Sequence, residues 1–398
     1  MTDNKFGKYN GNELSYLERA LDTENQENKN FPWVRTFEDE FVKLTGAKYA
    51  IALNSATSGL HAALAACNLS LGDEVISPGL SVVMNATMTV QLGLNPVFAD
   101  INKDTLNIDI DTILPLVTEK TKVIMPVALF GVPVDMDPIM EFAREKNITV
   151  IDDSAETICG TYKNKFAGTH ADIAVYSFET KKHMTSGGEG GMAITSDEQL
   201  ATNMRKYSGI GYKNLTASAG RTSLAAAEFQ NPEYERHDVI GLNYRMNSIT
   251  AAVGLAQLER INFLVERRIK VGELFKDAVD NCSWMIPQAS LIDSNHTYYT
   301  FAVKYYGQEE KNISWKEFYS KYKEKGGDGF YGAWVNPHLE PVLKNKKYGE
   351  IECKEGLCPV AEDLQSRLML FKTNYRDLSK AEKNANLLRD LIEEINKN

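Results

Sequence analysis

The chain has 398 residues, enough for two or three packed domains. Apolar residues make up 43% and charged residues 25%, ordinary globular values that exclude wholesale disorder, a collagen-like rod and a disulfide scaffold. A net charge of -10 opposes broad binding to nucleic acid or to an anionic membrane, so any anionic ligand must be gripped locally.

The opening Met1–Lys5 lacks the apolar stretch of a secretory signal. From Lys48 to about Thr195, short apolar runs alternate with helical patterns, the mark of repeated βα units and a mostly parallel sheet. The expected strands are Tyr49–Leu53, Glu74–Ser77, Pro96–Asp100, Val123–Leu129, Thr149–Asp152, Ile173–Phe178 and Met192–Thr195. Most are continuous apolar runs, as helices on both faces of the sheet require. The longest apolar stretch, Val123 to Val134, is shorter than the about 18 residues of a membrane span and holds two prolines. No span is expected. Residues 208–238 have no sustained period and read as a long excursion, a lid or interface arm. Ser248 to Arg268 reads as one amphipathic helix with Val253, Leu255, Leu258, Ile261, Leu264 and Val265 on its buried stripe. It leads from a large domain, 1–265, into a smaller α+β domain, 266–398, that closes with a charged helical tail from Ser379. The five cysteines are scattered and odd in number, which suits reduced thiols in a cytoplasm, and Cys353 and Cys358 lack the partners of a metal site.

Three strand ends carry chemistry. Asn54-Ser-Ala-Thr-Ser-Gly-Leu60 leaves a strand and opens a helix, offering free N–H groups to a phosphate, or simply an N-cap by Ser55 or Thr57. Ile151-Asp152-Asp153-Ser-Ala-Glu156 ends another strand in paired carboxylates, suited to a turn, a metal or a protonated ring nitrogen. Tyr176 to Gly191 runs from a strand into a glycine-dense turn bearing Lys181 and Lys182, where α/β folds place ligands. A phosphate cradle, a carboxylate and a lysine together match the needs of pyridoxal 5'-phosphate.

With those residues in view, the chain resembles the DegT/DnrJ-type sugar-nucleotide aminotransferases, from about Phe37 to Arg268 and more loosely to the C-terminus, including Cys358-Pro-Val-Ala-Glu362. The resemblance implies the fold type I architecture of pyridoxal-phosphate transferases. The motif Ser-Phe-x-x-x-Lys followed by Gly-Glu-Gly-Gly falls on Ser177, Phe178, Lys182 and Gly188–Gly191, making Lys182 rather than Lys181 the Schiff-base lysine. Asp153 becomes the partner of the pyridine nitrogen, with Glu156 on the side of the ring hydroxyl. Thr57, Ser58 and Ser177 become phosphate ligands. Gly241-Leu-Asn243-Tyr244-Arg245 implies that Asn243 reaches the phosphate of a neighbouring subunit, hence a homodimer with shared sites. Where the family sets an aromatic over the cofactor, the segment after the second strand offers only Val82. The turn between Lys182 and Glu189 is one residue longer than in the family, and the polar 24–30 stretch departs from the family's opening.

The resemblance implies L-glutamate as amino donor and a nucleotide-linked keto-sugar as acceptor, in amino-sugar synthesis for surface glycans or secondary metabolites. Arg245 and His183 are the expected substrate contacts, with Lys213, Arg221, Arg236 and His237 of the excursion as further candidates. Two rivals stand beside this reading. One is a sugar dehydratase of the same fold, in which the family replaces the lysine by histidine; the other is a non-catalytic scaffold or sensor.

Overall fold

Runs rich in Val, Ile and Ala assemble the central sheet of the computed structural model, which describes residues 7–25, 32–218 and 226–397. Its seven strands are β1 (Tyr49–Leu53), β2 (Glu74–Pro78), β3 (Asn95–Ala99), β4 (Thr121–Ile124), β5 (Thr149–Asp153), β6 (Ile173–Ser177) and β7 (Gly191–Thr195). They lie in the order β1-β7-β6-β5-β4-β2-β3. β7 runs antiparallel to both of its neighbours and the other pairings are parallel. Every residue of β2, β6 and β7 is buried, as expected of strands covered on both faces. The run expected to reach Leu129 is a continuous strand only to Ile124: Pro126 has no N–H to give the ladder, and a single bridge of Val127 to Asp153 follows before the chain turns at Phe130.

The helices are α1 (Glu13–Asn25), α2 (Trp33–Thr45), α3 (Ala56–Ala66), α4 (Met84–Gln91), α5 (Met136–Lys146), α6 (Glu198–Ser208), α7 (Ser248–Leu258), α8 (Ile261–Val279), α9 (Trp315–Glu324) and α10 (Leu378–Lys397), with shorter turns between. The single helix expected over 248–268 is therefore two. Arg260 (φ -113, ψ 10) leaves the helical region. The break lies where Glu259 accepts hydrogen bonds from Asn12 (2.7 Å) and the Tyr16 hydroxyl (2.5 Å) and Arg260 approaches Glu13. Neither proline nor glycine marks it, and the apolar stripe passes through it unbroken.

A second, smaller sheet of β8 (Met285–Pro287), β9 (Thr300–Tyr305) and β10 (Leu368–Lys372) is antiparallel throughout. Its core joins Phe301, Phe371 and Trp284 to Val271 and Phe275 of α8 and to Leu388 and Leu391 of α10. Ile261 and Val265 at the start of α8 belong instead to a core with Phe37, Phe41 and Phe178. One helix thus feeds both cores, and we propose the domain division within it. In the excursion, Lys213 lies 4.5 Å over the Tyr234 ring and His237 stacks on Tyr212 at 4.7 Å, contacts internal to the segment, while Arg221 lies outside the described residues.

Candidate active site

Register brings the three strand ends together. Leu53 of β1 and Ser177 of β6 both pair with Gly191 of β7, so the chain leaves β1 into α3 beside the end of β6. Ser55 caps α3 by accepting the Ser58 N–H at 3.0 Å, and the Ser58 hydroxyl donates to Asn54 Oδ1 at 2.6 Å. Thr57 is half-buried in the first turn. A Cβ on Gly191 would stand 2.5 Å from the Ser55 carbonyl carbon and 2.6 Å from the Ala56 nitrogen, so only glycine lets this helix start sit against the strand. The N-terminus of this eleven-residue helix is suited to an anion and lies beside Ser177, whose hydroxyl accepts the Glu179 N–H at 3.3 Å.

Past β6 the chain folds back through positive-φ glycines 187 and 188, with Phe178 donating to the Gly190 carbonyl and Thr180 to that of Gly188. This loop carries Lys182 inward. Its ammonium lies 3.1 Å from Glu156 Oε1 and 4.2 Å above the Tyr299 ring. Burial pushes the amine's pKa down, but Glu156, Tyr299 and Asp153 outweigh it and the net direction is up. Glu156 is steadied on its other oxygen by the Phe130 N–H at 2.9 Å, and Phe130 is held at φ 60, an uncommon conformation for a bulky residue. Lys181, the rejected neighbour, is exposed.

The adjacent aspartates of β5 face different surroundings. Asp153 accepts from Asn85 Nδ2 (3.2 Å) and the Ala155 N–H (3.2 Å) and feels the Lys182 charge. Burial raises its pKa, although Ala155, Asn85 and Lys182 all pull it down. Asp152 accepts the Ser154 hydroxyl at 3.0 Å, lies near Tyr176, and is pushed up to about 7 by burial. Asp153 alone therefore belongs with the lysine. Asn85, one turn beyond half-buried Val82, has its side-chain oxygen buried without a partner.

His183 is buried, with Nε2 2.9 Å from the Thr297 carbonyl; desolvation holds its pKa well below the usual imidazole value. Asn243 and Arg245 are exposed on the outer side of β1, where Asn243 bridges Gly209, Arg245 bridges Leu53, and Asn54 donates to the Tyr244 carbonyl at 2.9 Å. Three residues were not found by motif: Asn85, Tyr299 and Arg268. Arg268, fully buried, donates to the carbonyls of Lys181, Lys182 (2.9 Å) and Tyr299 (2.8 Å), pinning the lysine turn from behind. None belongs to the sequence segments that carried the motifs, so no local pattern marked them.

These groups fit pyridoxal phosphate: a cradle that a single Cβ would fill, a buried carboxylate, an unpartnered amide oxygen beside it and an inward lysine. Among the described residues no cluster fits a metal ion and no helix is long and apolar enough to cross a membrane.

Residues 9–383 match the model of the DegT/DnrJ/EryC1/StrS aminotransferase family. The chain belongs to that family. Similar members include the GDP-perosamine synthase of Escherichia coli O157:H7, 32% identical over 89% of this chain and 88% of the relative. The GDP-perosamine synthase of Caulobacter vibrioides is 38% identical over 66% of each chain. Among solved structures, an aminotransferase from Psychrobacter cryohalolentis superposes with a TM-score of 0.86 at 29% identity, over 96% of this chain and 97% of that one. The family, the fold class and the enzyme class expected from the sequence all stand.

Proposed function

We propose that this aminotransferase uses pyridoxal phosphate to move an amino group from L-glutamate to a nucleotide-linked keto-sugar, in a homodimer whose subunits complete each other's sites. The observation that carries the reading is the meeting of Lys182, Glu156 and Asp153 beside the α3 cradle. Relatives named GDP-perosamine synthase favour a GDP-linked sugar as the first acceptor to test.

When bound, pyridoxal phosphate supplies an electron sink that lets an amino group be parked between donor and acceptor. The residues divide the remaining work. The α3 N-terminus, with Ser58, Thr57 and Ser177, grips the phosphate. Asp153, desolvated and fixed by Asn85 and Ala155, holds a proton on the ring nitrogen. Lys182 would hold the cofactor at its aldehyde and would serve as general base and acid for the substrate's Cα proton. Glu156 keeps the Lys182 amine aimed along the ring, and Arg268 fixes the turn that carries it. Tyr299 already lies against the amine.

Support for the dimer comes from the surface around Asn243 and Arg245. Ile210, Val239, Ile240, Leu242 and Ile249 are all exposed there, with Ile240 at 96%, a cluster of apolar side chains that a second subunit would cover. The dehydratase reading is disfavoured by Lys182 itself, because the family's dehydratases carry histidine at that position; His183, the neighbour, is turned to the Thr297 carbonyl. The scaffold reading is disfavoured by the meeting of Lys182, Glu156 and Asp153 beside the α3 cradle.

Purified protein with pyridoxal phosphate should give a visible-absorbing, borohydride-reducible adduct that vanishes in Lys182→Ala and persists in Lys181→Ala. The reverse pattern overturns the lysine assignment. Incubation with glutamate and a panel of GDP-linked keto-sugars should release 2-oxoglutarate, and release from no pairing defeats the aminotransferase reading.

A further inference from the structure

Phe130 is held at φ 60 and ψ 7 with no exposed surface, a backbone state that a bulky residue keeps only when its surroundings impose it. The turn Leu129–Gly131 that contains it is gripped from two sides. From the side of the central sheet, Asn107 closes on both ends: its Oδ1 accepts the Leu129 N–H at 3.0 Å, and its Nδ2 donates to the Val132 carbonyl at 3.0 Å. From the side of the second sheet, Gln288, just past β8, donates through Nε2 to the Leu129 carbonyl at 3.1 Å and to the Thr105 carbonyl at 2.6 Å. The Thr297 N–H donates to the Gly131 carbonyl at 2.9 Å. A Cβ on Gly131, at φ 105, would stand 2.7 Å from the Tyr298 nitrogen and 2.8 Å from the Tyr299 nitrogen, so the turn fits closely against that segment.

Both gripping amides are buried, Asn107 at 3% and Gln288 at 7% exposure, where hydrogen bonds are not exchanged for bonds to water. Gln288 leaves its Oε1 buried without a partner, a cost that its two donated bonds must outweigh. The result of the imposed conformation is one aimed N–H. Phe130 donates it to Glu156 Oε2 at 2.9 Å, and Glu156 Oε1 lies 3.1 Å from the Lys182 amine. Thr157, next in the chain, donates its hydroxyl to the Ala128 carbonyl at 2.7 Å, so the start of the turn and the segment bearing the acid are joined a second time. A Phe130 relaxed to a negative φ would turn its N–H away, and the carboxylate would lose its backbone anchor.

We propose that Asn107 and Gln288 are positioning residues for the amine chemistry: by holding Phe130 in its left-handed state they aim its N–H at Glu156 and so fix the carboxylate against Lys182. Gln288 brings the second sheet into this set of contacts, so the placement of that sheet is felt at the lysine through the turn. The proposal rests on the aminotransferase reading, in which Lys182 is the reacting amine, and adds to it two residues that act without touching that amine.

The test follows the reactivity of the amine at residue 182 against pH, in wild type, Asn107→Ala, Gln288→Leu and Glu156→Gln. Two readouts are used: acetic anhydride labelling located by peptide mass spectrometry, and the rate of adduct formation with pyridoxal phosphate. The groups acting on the amine are Glu156, Tyr299 and Asp153, with His183 and Arg268 behind it, and Asn107→Ala and Gln288→Leu keep them all. Glu156 favours the charged amine, so loosening it should move the rising limb to lower pH by about one unit in each, the direction of Glu156→Gln. In the Glu156→Gln background neither substitution should move the limb further, because the carboxylate that it positions is gone. A residue serving stability alone would lower the melting midpoint and leave the limb in place, and that outcome in a folded variant overturns its assignment. Equal shifts with and without Glu156 overturn the proposal as well, since the residues would then act by another route. Gln288→Leu, which nearly preserves volume, decides if Asn107→Ala does not fold. Labelling needs no cofactor: failure of the wild type to form an adduct defeats the functional reading, while the labelling profile still tests the grip on the turn.

Discussion

Lys182 and Glu156 form a buried ion pair whose purpose is legible in its surroundings: the carboxylate is held by a backbone N–H and leaves one oxygen for the amine. Glu156→Gln removes the first of the groups that raise the Lys182 pKa, so the amine should lose its proton at lower pH. The rate of adduct formation with pyridoxal phosphate depends on neutral amine, and its rising limb should move to lower pH in the variant. An unmoved limb would show that Glu156 does not set the amine's charge. Asp152 gives a second residue-scale prediction. Its carboxyl is pushed from 3.8 to about 7 by burial, so across that window the folded state binds more protons than the unfolded state and stability falls as pH rises. Above about 7 the full penalty of a buried carboxylate is present. Asp152→Asn lacks it, so the difference in denaturation midpoint between variant and wild type should move in the variant's favour from pH 5 to pH 9. A pH-independent difference would contradict the assignment. Asp153→Asn should instead lose cofactor chemistry, since that carboxylate faces Asn85 and Lys182.

At the scale of elements, the cradle depends on how closely α3 meets β7. Gly191→Ala places a methyl 2.5 Å from the Ser55 backbone, where no flexible side chain can yield. It should destabilise the fold by about 1–3 kcal/mol and weaken phosphate capture, readable as a lower melting midpoint together with slower cofactor loading. Ordinary stability with ordinary loading would show that the close approach is not needed. The strands were legible because a sheet covered on both faces demands unbroken apolar runs, and Tyr49–Leu53 and Ile173–Ser177 supply them. The break between α7 and α8 was not legible. Periodicity reports which residues are buried, and Leu255 and Leu258 of α7 enter the same core as Ile261 and Val265 of α8, so the stripe runs on through the break. What bends the chain is contact with Asn12, Glu13 and Tyr16, more than 240 residues away.

For the whole molecule, the exposed apolar cluster beside Arg245 is the feature a lone subunit leaves unexplained. Ile240→Lys puts a charge at its most exposed point and should turn a dimer into a monomer by light scattering, with cofactor affinity lost in parallel because Asn243 would no longer reach a second cradle. A monomeric wild type, or a dimeric variant with normal affinity, would remove that surface from the interface.

The residues by themselves determined the α/β class, the glycine-dense turn with its lysine, the helix-start cradle and the family these compose, because each is written in neighbouring positions whose chemistry is local. Tertiary structure alone decided that Asn85 and Tyr299 join Asp153 and the lysine, and that Arg268 ties down the turn. It also decided that Asn107 and Gln288 grip one turn. Those are matters of which distant side chains are carried to the same point in space, and no spacing along a chain records that.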